Sequence, residues 1–529
     1  MGKVLVADPL SQEGLEVLNQ AKDLTVDIKT GLKEEEIVSI IGEYHGLIVR
    51  SETKVTAKII DAATNLQVIG RAGVGVDNIN VDAATKKGIV VMNAPSGNTV
   101  STAEHTLAMM LALSRNIPLA DASMKREEWD RKRFKGVELA GKTLGIVGLG
   151  RIGSYVAKLA LAFNMKVIVY DPFVSMDKAK RIGVELVTLD EIYRSSDYIT
   201  FHTPLSEKTT HMVSEHEFKM MKPGIRIINC ARGGIIDEEA LFKAIEEGKV
   251  AGCALDVYEH EPPRDNPLIR LDRVVCVPHL GASTIEAQIN VGVEIAEQMV
   301  DALRGGPLRN AVNIRQVEPE VLQEISPYLD LVERIGRLHV QLQEGQIEKV
   351  ELRVAGEIAS YETTPFTTAF LKGMLGEVLG EGMVNYVNAP FIAKERGIEV
   401  DESKESEDED FANLVSVKVK TDCAEREIEG SIFQKRGLRI VSIDGFRIDA
   451  IPYGDMLVIS NVDKPGVVGK IGVILGDAQI NIAGLQMGRS AIGGRQLIVL
   501  NLDQEVNREV LDRIVQEEEI LKAKLVKLR

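Results

Sequence analysis

The sequence predicts an α/β protein in which two parallel-sheet units are followed by an α+β segment and a small βαββαβ module. Short apolar strands alternate with amphipathic helices through roughly the first 300 residues, and a glycine-rich strand-to-helix turn lies within that alternation. After about residue 316 the pattern changes to longer strand-like runs. The 529 residues also exceed what one hydrophobic core supports, so several domains are expected.

The N-terminal unit is predicted from short buried strands. Apolar runs at residues 4–7, 46–49 and 67–70 are each short and unbroken, which is typical of parallel strands that are covered on both faces. The stretches 34–41 and 56–63 between them carry apolar residues at helical spacing. This alternation predicts βαβ units in one parallel sheet.

A second parallel-sheet unit is predicted from about residue 142. Residues 142–147 predict a strand, residues 152–163 a helix and residues 166–170 the next strand. Further buried strands are predicted at 198–201, 225–229, 252–255 and 274–277. The first 310 residues or so are therefore expected to hold two α/β domains.

The C-terminal part has a different pattern. A helical segment at 321–343 precedes strand-like runs at 347–354 and 414–420, and the acidic stretch 401–410 between them predicts a solvated loop. The last unit predicts alternating elements in the order βαββαβ, at 455–460, 465–477, 480–487, 495–502, 507–517 and 520–528. This order is that of a ferredoxin-like split-βαβ sandwich.

Composition excludes several classes of function. The chain carries 63 Lys and Arg against 79 Asp and Glu, a net charge of −16, so nucleic acid and anionic membranes would repel it. Its longest apolar run, Leu107 to Leu113, is far shorter than the roughly 20 residues of a membrane-spanning helix. We therefore expect no nucleic-acid partner and no membrane partner. An anionic substrate would need its own local cluster of Arg and Lys.

The cysteines predict neither a metal site nor a disulfide framework. Cys230, Cys253, Cys276 and Cys423 form no C-x-x-C pair, so no metal-binding residues are predicted. Scattered thiols, and an N-terminus without the long apolar core of a signal peptide, favour a reducing compartment, and we expect the cytoplasm.

A glycine-rich motif predicts a dinucleotide site. It follows a predicted strand, opens a predicted helix and consists of Gly148, Leu149, Gly150, Arg151, Ile152 and Gly153. Asp171, at the end of the next strand, is placed to accept hydrogen bonds from ribose hydroxyls and would repel a 2′-phosphate, so NAD is favoured over NADP. The alternative is a structural glycine turn followed by a solvated Asp.

Three residues form a candidate catalytic set for oxidising a hydroxy acid. Arg232 follows a predicted strand and precedes a glycine pair that would let the backbone approach a ligand, and its guanidinium can bind a carboxylate bidentately. His279 also follows a strand and can take a hydroxyl proton, while Glu261 can orient the ring and raise its pKa. The alternatives are a surface Arg and a structural His, because spacing alone does not show proximity.

Four motifs occur in the order GLGRIG, CARGGIID, LDVYEHEPP and PHLGAST. With them the chain resembles the D-isomer-specific 2-hydroxyacid dehydrogenase family over roughly residues 1–310. The resemblance implies that Arg232 binds the substrate carboxylate, that His279 is the acid/base and that Glu261 is its partner. It also implies contacts to NAD from Thr203, Cys230, Arg232, Asp256, His279 and Gly281.

The resemblance further implies a division into domains. Residues 1–97 and 284–316 would form a discontinuous, flavodoxin-like substrate-binding domain, and residues 98–283 a Rossmann NAD-binding domain, with the active site in the cleft between them. Residues 317–452 would form an α+β intervening regulatory domain. Residues 453–529 resemble an ACT domain, a small module that senses ligands in enzymes of amino-acid metabolism.

Cationic residues of the first unit predict a substrate with two anionic groups. Arg50 and Arg71 each follow a predicted strand and exceed what one carboxylate needs, which favours a phosphate on the substrate. The loop 73–76 offers backbone N–H groups to an anion. The predicted substrate contacts are Arg50, Ser51, Arg71, Gly73, Gly75, Val76 and Asn98. The alternative for one of these arginines is a salt bridge to Asp77 or Asp82.

Three residues of the last unit are predicted to hold an effector. Asn461, Asp463 and Asn481 lie at the ends of predicted strands in the ACT-like segment, and the resemblance implies that they bind L-serine at a domain interface. Asp463 is also a candidate N-cap of the following helix. The alternative is a module that only dimerises. For the whole chain the resemblance implies a homotetramer.

The expected function is NAD-dependent oxidation of a small phosphorylated 2-hydroxy acid. Within the family, residues 46–85 most resemble members that convert 3-phospho-D-glycerate to 3-phosphohydroxypyruvate, the first step of phosphorylated serine biosynthesis. One alternative is a glyoxylate, hydroxypyruvate or 2-oxoglutarate reductase on the same scaffold. Another is a non-catalytic, NAD-sensing corepressor. Lys435, Arg436, Arg439 and Arg447 are either a further anion site or solvated surface charges.

Overall fold

The computed structural model describes residues 2–315, 317–380, 383–433 and 437–528. Within these ranges the chain forms four β-sheets with helices packed against them, so the predicted α/β class is confirmed. None of the described helices combines the length and the apolarity needed to cross a lipid bilayer.

The first sheet contains five parallel strands in the order β2-β1-β3-β4-β5. Its strands are β1 (Gly2–Val6), β2 (Leu24–Ile28), β3 (Gly46–Val49), β4 (Val68–Arg71) and β5 (Val90–Asn93). The helices between them are α1 (Gln12–Gln20), α2 (Glu34–Ile40), α3 (Ala57–Ala62) and α4 (Val81–Lys86). This strand order is flavodoxin-like, and ligands of such sheets bind beyond the carboxyl ends of the strands.

The second sheet contains seven parallel strands in the order β12-β11-β10-β9-β6-β7-β8, the Rossmann order with one strand added. Two helices lead into it, α5 (Thr99–Ser114) and α6 (Ile117–Lys125). Its strands are β6 (Thr143–Val147), β7 (Lys166–Tyr170), β8 (Glu185–Leu186), β9 (Tyr198–Phe201), β10 (Ile225–Asn229), β11 (Val250–Leu255) and β12 (Val274–Cys276). The helices among these strands are α7 (Arg151–Ala162), α8 (Met176–Ile182), α9 (Leu189–Ser195), α10 (Glu215–Met220) and α11 (Glu238–Glu246).

Helix α12 (Ile285–Leu303) returns the chain to the first sheet. The Thr284 hydroxyl caps its N-terminus by accepting a hydrogen bond from Ala287 N at 3.1 Å. The helix packs so closely on α1 that a Cβ added to Gly14 would lie 2.7 Å from the carbonyl oxygen of Gly292. Glycine at this contact therefore lets α12, which follows the second sheet, pack directly against α1 of the first sheet.

The third unit is a six-stranded sheet in the order β14-β13-β15-β16-β17-β18. Its helices are α13 (Pro319–Leu342), α14 (Thr364–Leu379) and α15 (Ala389–Glu395). Its strands are β13 (Ile347–Gly356), β14 (Glu399–Glu405), β15 (Asn413–Thr421), β16 (Glu425–Phe433), β17 (Gly437–Ile443) and β18 (Phe446–Ala450). Phe366 and Phe370 of α14 are fully buried in its core, as the apolar side of a helix packed on a sheet should be.

The prediction of a solvated loop over the whole acidic stretch is wrong. Its first half belongs to β14, which pairs in parallel with β13 at the edge of the sheet. An edge strand exposes much of its surface, so charged side chains there are tolerated and discourage pairing with other chains. Lys349 and Arg353 of β13 pair with Asp401 and Glu405, each at 2.7 Å.

The candidate anion site of this unit is only partly described. Lys435 and Arg436 lie outside the described residues. Arg439 and Arg447 each form an ion pair with an aspartate. These two arginines therefore already have anionic partners from the chain itself.

The fourth sheet, in the order β20-β21-β19-β22, is the predicted βαββαβ module. Its elements are β19 (Gly454–Val462), α16 (Val467–Asp477), β20 (Ile482–Arg489), β21 (Arg495–Leu502), α17 (Arg508–Val515) and β22 (Ile520–Leu528). The prediction that Asp463 caps α16 is wrong, because Gly466, with φ of 96°, is the N-cap and no side chain bonds there. Gln341 of α13 exchanges two hydrogen bonds with the backbone of Lys527, which joins this module to the third unit.

Candidate active site

The glycine-rich turn lies between β6 and α7. Gly148 has φ of 97°, and a Cβ there would lie 2.6 Å from the carbonyl oxygen of His202, so glycine is required. A Cβ on Gly153 would lie 2.0 Å from the Gly148 carbonyl oxygen, so the third glycine allows close packing of the helix. The Cβ position of Gly150 instead faces open space. A pyrophosphate needs such space beside the backbone.

The N-terminus of α7 has no capping side chain. Gly150 is its N-cap, and no side chain accepts from the first turn, which begins with Arg151, Ile152 and Gly153. Unpaired N–H groups at a helix N-terminus, together with the helix dipole, attract phosphate. These residues therefore fit the diphosphate of a dinucleotide.

Asp171 lies at the end of β7 and holds the turn from one side. Its Oδ2 accepts from Leu149 N at 2.7 Å and its Oδ1 from Phe173 N at 2.8 Å. Each carboxylate oxygen retains accepting capacity for a ribose hydroxyl. Thr203, whose methyl would lie 3.0 Å from a Cβ on Gly148, has a buried hydroxyl with no partner among the described residues. The turn thus combines open space, free N–H groups and an unsatisfied hydroxyl, which fits NAD.

His279 and Glu261 are hydrogen-bonded to each other. Nδ1 of His279 lies 2.8 Å from Oε2 of Glu261, which leaves Nε2 as the ring nitrogen for a reacting group. This bond is the main reason why the pKa of His279 is raised above its usual value. Burial raises the pKa of Glu261, but the hydrogen bond and charge of His279, together with the backbone N–H of Tyr258, outweigh it and the net shift is downward.

The loop that carries His279 is held by Asp256. His279 has φ of 53°, a left-handed conformation that is uncommon outside glycine. The Asp256 carboxylate accepts from Leu280 N at 2.5 Å and Gly281 N at 2.9 Å, and its carbonyl accepts from His279 N at 2.9 Å. Burial raises the pKa of Asp256, but contact with His105 and the backbone N–H groups outweighs it, so the pKa is lowered.

Cys230 lies behind this loop, and burial raises the pKa of its thiol well above the usual range. Ligand-capable atoms of His105, Cys230 and Asp256 lie within 4.8 Å of one another, the one such group among the described residues. Both oxygens of Asp256 already accept backbone N–H groups, and a protonated thiol is a poor metal ligand. We therefore attribute the proximity of His105, Cys230 and Asp256 to support of the loop that carries His279, and not to metal binding.

Arg232 connects the two parallel-sheet units. Its Nε lies 3.1 Å from Oδ2 of Asp77, and its Nη1 donates to the carbonyl oxygen of Ala231 at 2.7 Å. A Cβ on Gly75 would lie 2.1 Å from Nη2, so this glycine makes room for the guanidinium. The charge of Arg232 also lowers the pKa of His279, opposing Glu261, which shows that the two predicted catalytic groups lie close together.

The glycine pair after Arg232 has a structural role in packing and in the turn. A Cβ on Gly233 would lie 1.8 Å from the carbonyl oxygen of Tyr258, so the close approach is to the chain's own backbone. Gly234 adopts φ of 79°, which L side chains rarely tolerate. Packing and turn geometry therefore already require both glycines, and a close approach of their backbone to a ligand stays a prediction.

Arg71 lies in the same cleft and is largely buried. Burial, and the nearby charges of Arg232 and Arg50, lower its pKa to about 10, so three cations converge here. Its Nε has no partner among the described residues. Gly73 N donates to the Arg71 carbonyl at 2.8 Å, so the prediction that this N–H faces an anion is wrong, because it closes a turn. A Cβ on Gly73 would lie 2.1 Å from Arg71 Nη1, so Gly73 accommodates the arginine.

Arg50 and Ser51 follow β3 beside a carboxylate that sequence reasoning missed. Asp8 is buried, and its carboxylate accepts from Arg50 N at 2.6 Å and from the Thr53 hydroxyl at 2.5 Å. The signal for Asp8 in the sequence was its position, as a single polar residue directly after the apolar run of β1. The predicted alternative, a salt bridge from Arg50 or Arg71 to Asp77 or Asp82, does not form among the described residues, where Asp77 pairs with Arg232.

Asn98 begins α5, where the chain passes from the first sheet to the second. It is the N-cap residue, but its side chain makes no capping bond, and its Oδ1 is buried without a partner among the described residues. Val76 lies in the loop beside Arg71. Buried polar atoms are normally paired, so the unpaired atoms of Arg71, Asn98 and Thr203 indicate a polar ligand.

The predicted effector residues are placed differently from one another. Asn461 is fully buried, where its amide donates to Gln496 Oε1 at 3.1 Å, so in this conformation a ligand on the surface does not reach it. Asp463 pairs with Arg489 at 3.3 Å. Asn481 is on the surface, and its amide donates to Asp503 at 2.6 Å. An effector would compete with these partners of Asp463 and Asn481.

Family models match three parts of the chain. The NAD-binding domain of D-isomer-specific 2-hydroxyacid dehydrogenases matches residues 107–281. The intervening domain of D-3-phosphoglycerate dehydrogenase matches residues 324–444. The ACT domain matches residues 456–519. The ACT match confirms the resemblance that the sequence indicated for the last module.

Full-length relatives extend these matches to nearly the whole chain. A D-3-phosphoglycerate dehydrogenase of Methanocaldococcus jannaschii is 47% identical over 515 residues, which are 97% of this chain and 97% of the relative. One of Bacillus subtilis is 43% identical over 528 residues, 100% of each chain. The chain belongs to the D-3-phosphoglycerate dehydrogenase family. It is an NAD-dependent oxidoreductase, and the predicted cofactor, NAD, is confirmed.

Solved structures resemble the two parallel-sheet units. A glyoxylate reductase from Paecilomyes thermophila is 30% identical with a TM-score of 0.55, covering 59% of this chain and 98% of that one. A D-lactate dehydrogenase from Aquifex aeolicus, complexed with NAD and lactic acid, is 31% identical with a TM-score of 0.52, covering 57% and 96%. These neighbours share the dehydrogenase scaffold and differ in their named reactions, so substrate choice depends on the cleft residues.

Proposed function

We propose that this protein oxidises 3-phospho-D-glycerate to 3-phosphohydroxypyruvate with NAD, as the first step of phosphorylated L-serine biosynthesis. The observation that carries this proposal is the group of cations around Arg71, which feels the charges of Arg50 and Arg232, while Arg232 in turn lies near His279. One carboxylate occupies one guanidinium, so three cations fit a substrate that carries a phosphate as well. The relatives' name supports the same substrate.

The substrate would be held by its two anionic ends. Arg232 binds the carboxylate with its Nη groups, while Asp77 keeps Nε and thereby fixes the plane of the guanidinium. The loop at Gly75 and Val76 assists Arg232 at the carboxylate end. Arg50 and Arg71 bind the phosphate, assisted by Ser51. Binding both ends orients C2 toward the imidazole of His279. Asn98, at the crossover between the two sheets, completes the predicted set of contacts.

The proton of the C2 hydroxyl leaves to Nε2 of His279. Glu261 holds Nδ1–H, so the neutral ring presents Nε2 as a base, and the carboxylate stabilises the imidazolium that results. Bound NAD supplies the hydride acceptor. The residues that hold it would be Gly148, Gly150, Arg151, Ile152, Gly153, Asp171, Thr203, Cys230, Arg232, Asp256, His279 and Gly281. Loss of one hydride and one proton turns the alcohol into the ketone.

Substrate preference tests the proposal. Initial rates of NADH formation are measured with 3-phospho-D-glycerate, D-glycerate and D-lactate at equal concentration. We expect kcat/KM to be highest for the phosphorylated acid, and Arg50→Gln to reduce that preference because it removes one cation of the cleft. A hydrogen bond to a charged group contributes about 1.5–3 kcal/mol, so the loss should be at least tenfold. Equal activity with D-glycerate, or higher activity with glyoxylate and NADH, would favour the reductase alternative.

The domain bounds, assembly and location form part of the same proposal. Residues 1–97 and 284–316 bind substrate, residues 98–283 bind NAD, residues 317–452 regulate, and residues 453–529 form the ACT domain. A homotetramer is supported by the exposed apolar side chains of Ile117, Met124 and Trp129, which lie in one segment. Four cysteines without disulfides support a cytoplasmic location. Sedimentation of the full chain tests the tetramer.

L-serine is the proposed effector of the ACT domain. Asp463 and Asn481 offer groups for an amino acid's ammonium and hydroxyl, at the cost of their present partners, whereas Asn461 would act only after rearrangement. Addition of L-serine is expected to lower the rate of NADH formation, and Asp463→Asn to abolish that response with little change in the rate without serine. A rate that is insensitive to serine would contradict the effector role and leave dimerisation as the function of the ACT domain.

A further inference from the structure

Helix α5 contacts the loop that carries His279 through two side chains, and the Asp256 carboxylate through a third. The hydroxyls of Ser101 and Thr102 donate to the carbonyl oxygen of Gly281 at 2.9 and 3.1 Å. One turn further along, Nε2 of His105 lies 3.2 Å from Oδ1 of Asp256. Positions that are three or four residues apart lie on the same side of a helix. One face of α5 therefore touches both the loop and the carboxylate that holds it.

His105 is the neighbour of the Asp256 carboxylate outside the loop, at ion-pair distance but without the angles of a hydrogen bond. The Asp256 side chain is 1% exposed, and a buried carboxylate is costly unless it is paired and hydrogen-bonded. Among the described residues, His105 is the only basic side chain within ion-pair distance of it. The other two partners, Leu280 N and Gly281 N, belong to the loop itself. His105 thus supports Asp256 from outside the loop.

We propose that His105 is a positioning residue for His279 and acts through Asp256. It keeps the carboxylate ionised and oriented, the carboxylate fixes the N–H groups of Leu280 and Gly281, and these hold His279 in its left-handed conformation. Neither the glycine turn nor the cluster of arginines contributes to this contact. The inference rests on the proposed role of His279 as acid/base.

A local role predicts a specific kinetic pattern. If His105 only stabilised the fold, its loss would lower the melting temperature and leave kcat per folded enzyme unchanged. If it served NAD alone, the Kd for NADH would rise while kcat at saturating NAD stayed unchanged. Positioning of the imidazole predicts instead that kcat falls by a larger factor than the KM for substrate or the Kd for NADH rises, because misplacement of a reacting group affects mainly the chemical step.

The test uses three variants of the full-length enzyme. His105→Leu removes the partner of Asp256, and we expect kcat with 3-phospho-D-glycerate to fall about tenfold with KM within about twofold. His105→Gln places an amide N–H near the former Nε2 and should recover most of the loss. Glu104→Gln, exposed on the same helix, is the matched control and should leave kcat unchanged. Melting temperature and NADH fluorescence titration accompany each variant.

Alternative results would overturn the inference. Wild-type kcat in His105→Leu, a loss confined to KM or to NADH affinity, or no recovery in His105→Gln would each exclude a positioning role. His105→Asn, which is polar but too short to reach Asp256, replaces the Leu variant if that one does not fold, and its expected kcat loss is the same. If the wild type does not oxidise 3-phospho-D-glycerate, the proposed substrate fails, and the same comparison with glyoxylate and NADH decides the role of His105.

Discussion

Substitution of Glu261 by Gln isolates the electrostatic part of the catalytic pair. The amide keeps nearly the same shape and can still accept from Nδ1–H of His279, but it carries no charge. Oxidation requires neutral His279 as the base, so activity falls as the pH drops through the His279 pKa. Glu261 raises that pKa, and the variant should therefore show its low-pH limb at a lower pH than the wild type.

The size of the loss follows from the geometry of the pair. A hydrogen bond between charged groups contributes about 1.5–3 kcal/mol when shielded from water. The side chains of His279 and Glu261 are 51% and 39% exposed, so screening reduces this to about 1 kcal/mol. That energy corresponds to a roughly fivefold lower kcat on the high-pH plateau, where the base is already neutral in both enzymes.

The assay is the pH dependence of kcat and kcat/KM for NADH formation from 3-phospho-D-glycerate. We expect a plateau about fivefold lower in Glu261→Gln and a low-pH limb displaced toward acid. The deficit should consequently shrink as the pH falls. An unchanged limb, or one displaced toward higher pH, would refute the reasoning that the Glu261 charge sets the basicity of His279.

Two further outcomes follow from buried groups and close contacts. Burial lowers the pKa of His339 to about 3, so below pH ~6.5 the unfolded chain binds a proton that the folded chain does not, and the free energy of unfolding falls. His339→Gln can still donate to the Val417 carbonyl but does not titrate. Its acid unfolding, followed by circular dichroism, should therefore occur at a lower pH than that of the wild type. In Gly153→Ala the new Cβ would lie 2.0 Å from the Gly148 carbonyl oxygen, so the Kd for NADH, measured by fluorescence titration, should rise at least about tenfold. Gly376→Ala is the control, because nothing lies within 4 Å of its Cβ position, and it should leave this Kd unchanged. An unchanged acid midpoint, or equal Kd values for the two glycine variants, would contradict them.

The parallel sheets and the dinucleotide turn were predictable because their signals are local. Buried strands form unbroken apolar runs. The turn itself requires glycine locally, through the φ of 97° at Gly148 and the contact of Gly153 with the Gly148 carbonyl oxygen. The carboxyl ends of strands in both sheets face one cleft, and Arg71 of the first sheet and Arg232 of the second therefore lie near each other. Sequence patterns of this kind place candidate residues without showing their partners.

The partners were not predictable because they join distant parts of the chain. Arg232 and Asp77 are 155 positions apart, and the contact between His105 and Asp256 joins a helix at the crossover to a loop of the second sheet. The acidic strand β14 was missed for another reason. At the edge of a sheet, charged residues replace the apolar alternation by which a strand is recognised.

The central claim is that His279 takes the C2 hydroxyl proton of 3-phospho-D-glycerate while NAD is reduced. The most direct measurement is the initial rate of NADH formation from that acid at alkaline pH, by the wild type and by His279→Ala. We expect clear turnover in the wild type and a loss on the order of a hundredfold or more in the variant, a much larger factor than any rise in the Kd for NADH. Near-normal turnover in His279→Ala would contradict the claim.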